Sequence, residues 1–454
     1  MGAVSGVALL AACLAMVPGR GLSQAQRADA PVQAFTHAVL IDGTGAAAIE
    51  NATIVVRGDR IDSAGPAGSV RVPAGARTTD LRGKVLMPGL ADMHVHLMGG
   101  WDGVATDMLG YRRYMNALLY AGVTTVLDTG NVEPFIVQLR AEVAAGRVLG
   151  PRIYCVGPLI DGADPAWPPL SRAVGSVGQV PDVVRALSRD HVDLIKAYVG
   201  LSHPVLERLV EEGRKASLRV IIDQWQRNGS PDLVADGIYG FAHLPTRKLS
   251  SSDVQLMHDR QIAFISTLIV FESQSRRRLK DLTFVQDPLV QDTSPPSFLT
   301  GLKAEAARKL PEEEAQRSER WAGLVQNAMQ NAHALVKAGV LLTAGTDAPY
   351  PGDMQGEGLH HELELLVEAG FTPLEALSIA TQNAARFIGA NDWGTIQPGK
   401  LATLIVIDGR PDRQISDSRK VVAVYLAGRK IDRESLKLTR QNDPGFEPIS
   451  PVDF

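Results

Sequence analysis

The alternation of apolar and polar positions divides the chain into two regions of short strands around a long middle. Residues 35–87 hold brief apolar runs bounded by glycine and polar residues, as at 37–43, 52–56 and 60–62. Runs of the same kind return at 404–409 and 421–429. Short β-branched runs between turn residues predict strands, and strand-rich text at both ends predicts one small β-sandwich over 35–87 and 395–435. In the middle, strand-like runs at 85–90, 123–128, 152–157, 192–199, 219–223, 239–243, 263–268 and 340–346 alternate with amphipathic helices such as 204–216 and 324–338. Eight such strands with intervening helices predict an α/β fold, a (β/α)8 TIM barrel over 88–394. Residues 271–322 are charged, contain proline and exceed what a connection requires, so they predict an elaborated loop with helical pieces that serves as a lid. Two helices are predicted at 361–369 and 373–388, and a tail over 436–454 that is unstructured from 441.

The N-terminal residues 1–25 read as an export signal, followed by a linker over 26–34. The apolar segment from Ala3 to Val17 is too short to span a bilayer, and small residues follow at Ser23 and Ala25. Leu10-Ala11-Ala12-Cys13 resembles a lipoprotein box, yet Leu14 to Val17 stays apolar where lipoproteins turn polar. Export to the periplasm is therefore expected over a lipid anchor at Cys13, and no later run is long enough to cross a membrane. With Cys13 in the leader, Cys155 is the one remaining thiol and has no intramolecular partner. A net charge of -4 with no basic block argues against nucleic acid as a partner and for a small-molecule substrate. Association into a homo-oligomer stays open.

The candidate chemistry sits at the ends of the predicted strands. Side chains two apart on a strand point the same way, so His94 and His96 project together and can present two neutral imidazoles to one cation. Lys196 lies inside the fourth apolar run, Asp223 ends the fifth, His243 the sixth and Asp347 the eighth. Singly, each has an ordinary explanation in core packing, capping or a buried ion pair. Together, titratable groups at five of eight strand ends are hard to attribute to packing, because a buried charge is costly unless paired or bound to a cation. Convergence at the carboxyl face of a barrel favours a metal site. Trp101, Trp167 and Trp225 fall in loops after strands one, three and five, where Trp225 can line an apolar pocket, and Arg227 beside Asn228 can meet a substrate carboxylate.

Three stretches carry a family resemblance. They are Pro88-Gly89-Leu90-Ala91-Asp92-Met93-His94-Val95-His96, Gly345-Thr346-Asp347, and the run from Thr395 to Leu404. Combined, they resemble the amidohydrolase superfamily, in particular its imidazolonepropionase-related branch with the prolidase-type metal-dependent dipeptidases. The resemblance extends over nearly all of 35–432 and implies roles by position. His94, His96 and Asp347 would hold a first zinc or manganese ion, Lys196 carboxylated on its amine would bridge to a second, and His243 would serve that second ion. It also implies metal-assisted hydrolysis of an amide or peptide bond, with Asp347 taking a proton from water and passing it to the leaving nitrogen. Tyr198 is a candidate donor to the oxyanion.

One position departs from the pattern. The family's histidine on the fifth strand falls at Asp223, so the second ion gains an oxygen ligand, is weakened, or is lost together with activity. The leading expectation is an exported hydrolase of dipeptides or N-acyl amino acids using one or two ions. Ring opening or deamination of a heterocycle is the second enzymatic expectation, and a catalytically impaired binding relative is the third.

Overall fold

The run Val85–Pro88 does not lead the barrel; it is the centre of the small sheet. The computed structural model describes residues 30–100, 107, 109–223, 227–439 and 441. The expected leader with Cys13, Trp101, Trp225 and the tail from 442 onward lie outside the described residues. Val85–Pro88 pairs parallel with Val32–Leu40 and antiparallel with Leu404–Ile407. Around it, Ile49–Arg57, Arg60–Pro66, Arg77–Asp80, Val421–Leu426 and Arg429–Lys430 complete one continuous eight-stranded sheet. Both chain ends therefore build this unit, as the two strand-rich regions predict. Its first strand begins within the stretch expected to be linker.

Alternation sends the side chains of the sheet's central strands to two buried sides. Phe35, Leu40, Ile54, Leu86, Val406 and Tyr425 face a private core, while Val39, Val85, Met87, Ile405 and Ile407 face the main body. The sheet curls round that private core. Phe35 and Tyr425 lie on strands separated by two others, yet their rings meet edge to face with centroids 5.1 Å apart.

The middle of the chain is α/β with parallel sheets. Leu90–Val95, Val123–Asp128 and Arg152–Cys155 form one parallel set. Leu159–Asp161 with its neighbour Ser171–Ala173, then Ile195–Ala197, Val220–Ile222, Gly240–Phe241, Ala263–Ile265 and Leu341–Thr343, form the other. The sets touch at both edges: the Asp193 amide donates to the Cys155 carbonyl at 2.8 Å, and the Met93 amide donates to Ala344 at 2.9 Å. Small and medium apolar residues fill the interior, among them Ala91, Met93, Leu127, Ile221, Ala242 and Ile265, sealed by Phe387 and Trp393.

Several helices differ from expectation in extent. The helix expected at 324–338 runs from Glu312 to Lys337, because three glutamates in its first turn suit the helix dipole although they blur the apolar stripe. The helix expected at 373–388 is two, Pro373–Ile379 and Gln382–Ile388, broken where the Thr381 hydroxyl donates to the Leu377 carbonyl at 2.7 Å. Residues 271–322 do carry helices, including Pro288–Gln291 and Pro296–Ala307. Past 436 the chain stays packed for a few residues: Leu436 is buried, and the Leu438 amide donates to Asp292 at 2.7 Å.

Polar ties join the small sheet to the helices of the main body. His360, fully buried, hydrogen-bonds the Ser418 hydroxyl at 2.9 Å through Nδ1 and donates Nε2–H to the Ala121 carbonyl at 2.8 Å. Arg419 reaches Glu357, Glu364 and Asp287. Replacing Phe387 with Ala removes a large, fully buried side chain that seals the interior between the parallel sheets. That change is expected to cost about 3–5 kcal/mol, seen as a lowered unfolding midpoint in thermal or denaturant melts.

Candidate active site

The strand Leu90–Val95 is buried along its whole length, and its chemistry is set by Asp92. One oxygen of Asp92 accepts the amides of His94 at 3.2 Å and Thr346 at 3.0 Å, and the other accepts the Thr346 hydroxyl at 2.8 Å. The first strand is thereby locked to the end of the last. Gly345 permits the approach, since a Cβ there would meet the backbone nitrogen of His94 at 2.9 Å and the side chain of Ile265 at 2.5 Å. Asp347 then turns back over the site with φ 73°, a left-handed conformation uncommon outside glycine. Its amide donates to the His94 carbonyl at 2.7 Å.

His94 and His96 do share a face, as the period of two predicts. His94 donates Nδ1–H to the Ala242 carbonyl at 2.9 Å, and His96 donates Nδ1–H to Gly130 at 3.0 Å. A carbonyl can only accept, so these bonds place the proton on Nδ1 and turn both Nε2 atoms inward. Both Nε2 atoms lie 3.1 Å from the same oxygen of Asp347. His243 comes from the opposite side, its Nε2 3.1 Å from Asp223 and 3.9 Å from the second oxygen of Asp347, while its Nδ1 meets the Thr267 hydroxyl at 2.7 Å. Lys196 closes the group, with Nζ 3.1 Å from His94 Nε2 and 3.4 Å from Asp223. Neither Asp193 nor Asp92 pairs with it: Asp193 accepts from Arg140 and the Cys155 amide, and Asp92 serves Thr346.

The electrostatics of this cluster is self-consistent. Burial, with Lys196 beside it, pushes His94 down to about 3, so the ring is neutral. Burial also opposes a charge on His96, but the adjoining Asp347 carboxylate prevails and raises its pKa. Burial alone would protonate Asp347 and Asp223. The imidazoles of His94, His96 and His243 hold Asp347 well below the ordinary carboxylate range, and His243 with Lys196 does the same for Asp223.

These residues fit a divalent cation. A neutral His94 with its proton on Nδ1 aims a lone pair from Nε2 at a carboxylate oxygen 3.1 Å away, which is repulsive unless something positive lies between them. Asp223 also has a buried oxygen, Oδ1, with no hydrogen-bond partner among the described residues. Imidazole nitrogens with carboxylate oxygens form the donor set that zinc and manganese accept. His94, His243 and Asp347 offer ligand atoms mutually within 4.8 Å.

A cavity of about 650 Å³ opens beside this cluster and is lined by Trp167, Tyr198 and Tyr350. The Tyr198 hydroxyl accepts from Trp167 Nε1 at 3.1 Å. Burial, reinforced by Asp347, Tyr198 and Asp223, pushes the Tyr350 hydroxyl well above its ordinary pKa, so it stays a proton donor. Arg227 is not among the cavity walls; it is half exposed and paired with Asp232. The sequence assigns no catalytic role to Asp92, Tyr350 or Glu362. Asp92 precedes His94 by two positions and shares its strand face, a signal that was available. Tyr350 and Glu362 carried none, because only the turn after Asp347 and helix Glu357–Glu368 bring them in.

Several known proteins resemble the chain. A model of the amidohydrolase family matches residues 85–234 and 309–431. The chain is 26% identical to the adenine deaminase of Serratia proteamaculans over 92% of its own length and 58% of that protein. Across the first adenine deaminases it resembles, it spans 17% to 58% of their length. It is 24% identical to the imidazolonepropionase of Shouchella clausii, covering 88% of this chain and 92% of that one. The crystal structure of a Bifidobacterium longum protein assigned as a prolidase superposes with a TM-score of 0.72 at 25% identity, covering 91% of this chain and 97% of the other.

Glu362 supports the site from behind. It accepts the amides of Leu268 at 3.0 Å and Ile269 at 2.8 Å together with the Ser266 hydroxyl, and burial pushes its pKa up to about 7. The folded chain keeps a proton that the unfolded chain has released, so the stability Glu362 contributes is fully present at acid pH and is lost as pH rises through its folded value. Glu362→Gln keeps the acceptor and removes the titration. Its stability is expected to fall less steeply than wild type between about pH 5 and 7, measured by denaturant unfolding at both ends of that range.

Proposed function

The chain belongs to the amidohydrolase family, and on that premise we propose that it hydrolyses the amide bond of a dipeptide or an N-acyl amino acid at this site. The observation that carries the reading is the meeting of two imidazole Nε2 atoms on one Asp347 oxygen, with both Nδ1 atoms tied to carbonyls. We take the two parallel sheets as one closed eight-stranded barrel, with Arg152–Cys155 and Leu159–Asp161 as one interrupted strand and Ser171–Ala173 outside it, a reading supported by the hydrogen bonds at both edges. Its strand ends then share one mouth, where barrel chemistry gathers.

In this reading His94, His96 and Asp347 hold one zinc or manganese ion, while Asp223 and His243 hold a second. A divalent cation there supplies Lewis acidity, lowering the pKa of water towards about 7 and polarising the scissile carbonyl. Lys196 joins the ligands as a carbamate, formed when its amine takes up carbon dioxide and releases a proton. An ammonium offers a cation no lone pair, whereas a carbamate offers two anionic oxygens. Asp347 is ionised at neutral pH, so its carboxylate accepts a proton from the attacking water and delivers it to the leaving nitrogen. The hydroxyls of Tyr198 and Tyr350, on the cavity wall beside Asp347, donate to the oxyanion as it forms. Export to the periplasm through the leader at 1–25 and a homo-oligomeric state belong to the same proposal.

A second reading is deamination or ring opening of a heterocycle, supported equally by the adenine deaminase and imidazolonepropionase relatives. Asp223 in the place of the expected histidine favours it, because a weakened second site leaves one ion. Lys196 favours the first reading, because as a carbamate it would add two anionic oxygens for a second ion. A screen of dipeptides, N-acyl amino acids and heterocyclic amines on metal-loaded protein separates the two. Amide cleavage with close to two ions per chain supports the first, and ammonia release with close to one ion supports the second. No turnover and no bound ion would leave a binding protein.

Asp347→Asn is expected to lower kcat by about 10²–10⁴-fold, the span of a general base, while circular dichroism stays unchanged; wild-type turnover would remove Asp347 from the proton path. Asp223→His should tighten the second ion. Metal content after dialysis against a weak chelator reads this directly, and an unaltered stoichiometry would place residue 223 outside the ligand set.

A further inference from the structure

The cavity beside the site has two unlike ends. Its inner wall is aromatic, with Trp167, Tyr198 and Tyr350, and the Tyr198 ring centroid lies 5.7 Å from Lys196 Nζ of the strand-end cluster. The other wall comes from the segment that follows the seventh barrel strand, and it is cationic: Arg276, Arg308 and Arg317 all line it. Arg276 and Arg308 lie between the two stretches that match the family model, and Arg317 lies within the second of them.

The charges on that wall do not cancel. Arg276 pairs with Glu305 and also donates to the Glu305 carbonyl at 2.6 Å. Arg308 holds the same Glu305 at 2.8 Å and 3.0 Å, and Glu314 at 2.8 Å. Two carboxylates thus serve three guanidinium groups. The surplus cation is Arg317, which is exposed on helix Glu312–Lys337 and makes no ion pair among the described residues. The two clamped arginines hold the wall in place while the third keeps its planar fork of donors for a ligand.

Resting on the amide-hydrolase reading, we infer that this wall is a subsite for a carboxylate carried by the substrate away from its scissile bond, with Arg317 as the residue that recognises it. The preferred substrate is then an elongated amide: the scissile bond lies against Asp347, an apolar body lies against the aromatic wall, and an acidic end reaches Arg317. The volume of about 650 Å³ falls within the usual range for ligands larger than a free amino acid.

The test compares N-succinyl-phenylalaninamide with its neutral counterpart N-succinamoyl-phenylalaninamide on zinc-loaded full-length protein, by hydrolysis of the succinyl amide bond and by isothermal titration. Wild type should favour the succinyl compound by about tenfold or more, the range of a charge-assisted hydrogen bond. In hydrolysis the preference should appear in KM rather than kcat, and it should shrink as salt rises. Arg317→Ala should bring the two compounds close to parity, and Arg317→Lys should restore part of the difference. Arg320→Ala, on the same helix but off the cavity wall, should keep the full preference. Equal binding of the two compounds by wild type, or an undiminished preference in Arg317→Ala, would overturn the subsite. A binding preference that depends on Arg317 without cleavage of either compound would instead count against the hydrolytic reading and leave the subsite standing.

Discussion

The fold around the active site depends on keeping ionised carboxylates in a dry place. Asp347 and Asp223 are nearly inaccessible to solvent, and moving a charged carboxylate out of water costs several kcal/mol even after relaxation. The protein offsets this by surrounding Asp347 with three imidazoles and setting Asp223 against His243 and Lys196. Such a cluster is stable only as a group, since removing one partner leaves the others buried and unpaired. Every strand end that contributes a side chain to it is therefore constrained together.

That constraint accounts for much of the second layer. Asp92 holds the first strand to the last, so that His94 and Asp347 meet at 3.1 Å rather than sliding past one another. The carbonyls of Ala242 and Gly130 fix which nitrogen of each ring faces inward. Glu362 caps the turn leading into helix Leu268–Gln274, just beyond Thr267, the partner of His243. Further out, Arg278 and Arg419 converge on the fully buried Glu357 and link the elaborated segment to the small sheet. Burial thus propagates order from the site outwards through polar contacts, while the apolar core supplies the bulk of the packing.

Asp223 separates the shared architecture from what is particular to this chain. An imidazole at that place would present a neutral nitrogen, whereas the carboxylate brings a negative charge that Lys196 and His243 already balance. Modifying Lys196 to an anion would remove one of those balancing charges and make a cation the remaining way to neutralise the cluster. In the proposed reading, metal loading and lysine modification would then be coupled by electrostatics. The cavity shows the same division. Its inner wall comes from positions beside the strand-end cluster; of its outer wall, Arg276 and Arg308 fall in a segment that the family model does not match, while Arg317 falls within the matched stretch.

The strand period alone was enough to place His94 and His96 on one face, because alternation in an extended chain is a local property. Apolar runs bounded by turns likewise located the middle strands, and similar text at both ends pointed to one small sheet. The run at 85–90 reads both as the last strand of the small unit ending at 87 and as the first strand of the middle, since a strand buried on both faces reads the same whichever partners it takes. Helix Glu312–Lys337 was read short because its first turns are exposed, with no apolar stripe to mark them. The partner of Lys196, the tautomers of the two histidines, the bridging role of Asp92 and the arrival of Tyr350 and Arg317 at one cavity were decided only by tertiary structure. Each depends on contacts between residues tens to hundreds of positions apart, and no local pattern encodes those distances.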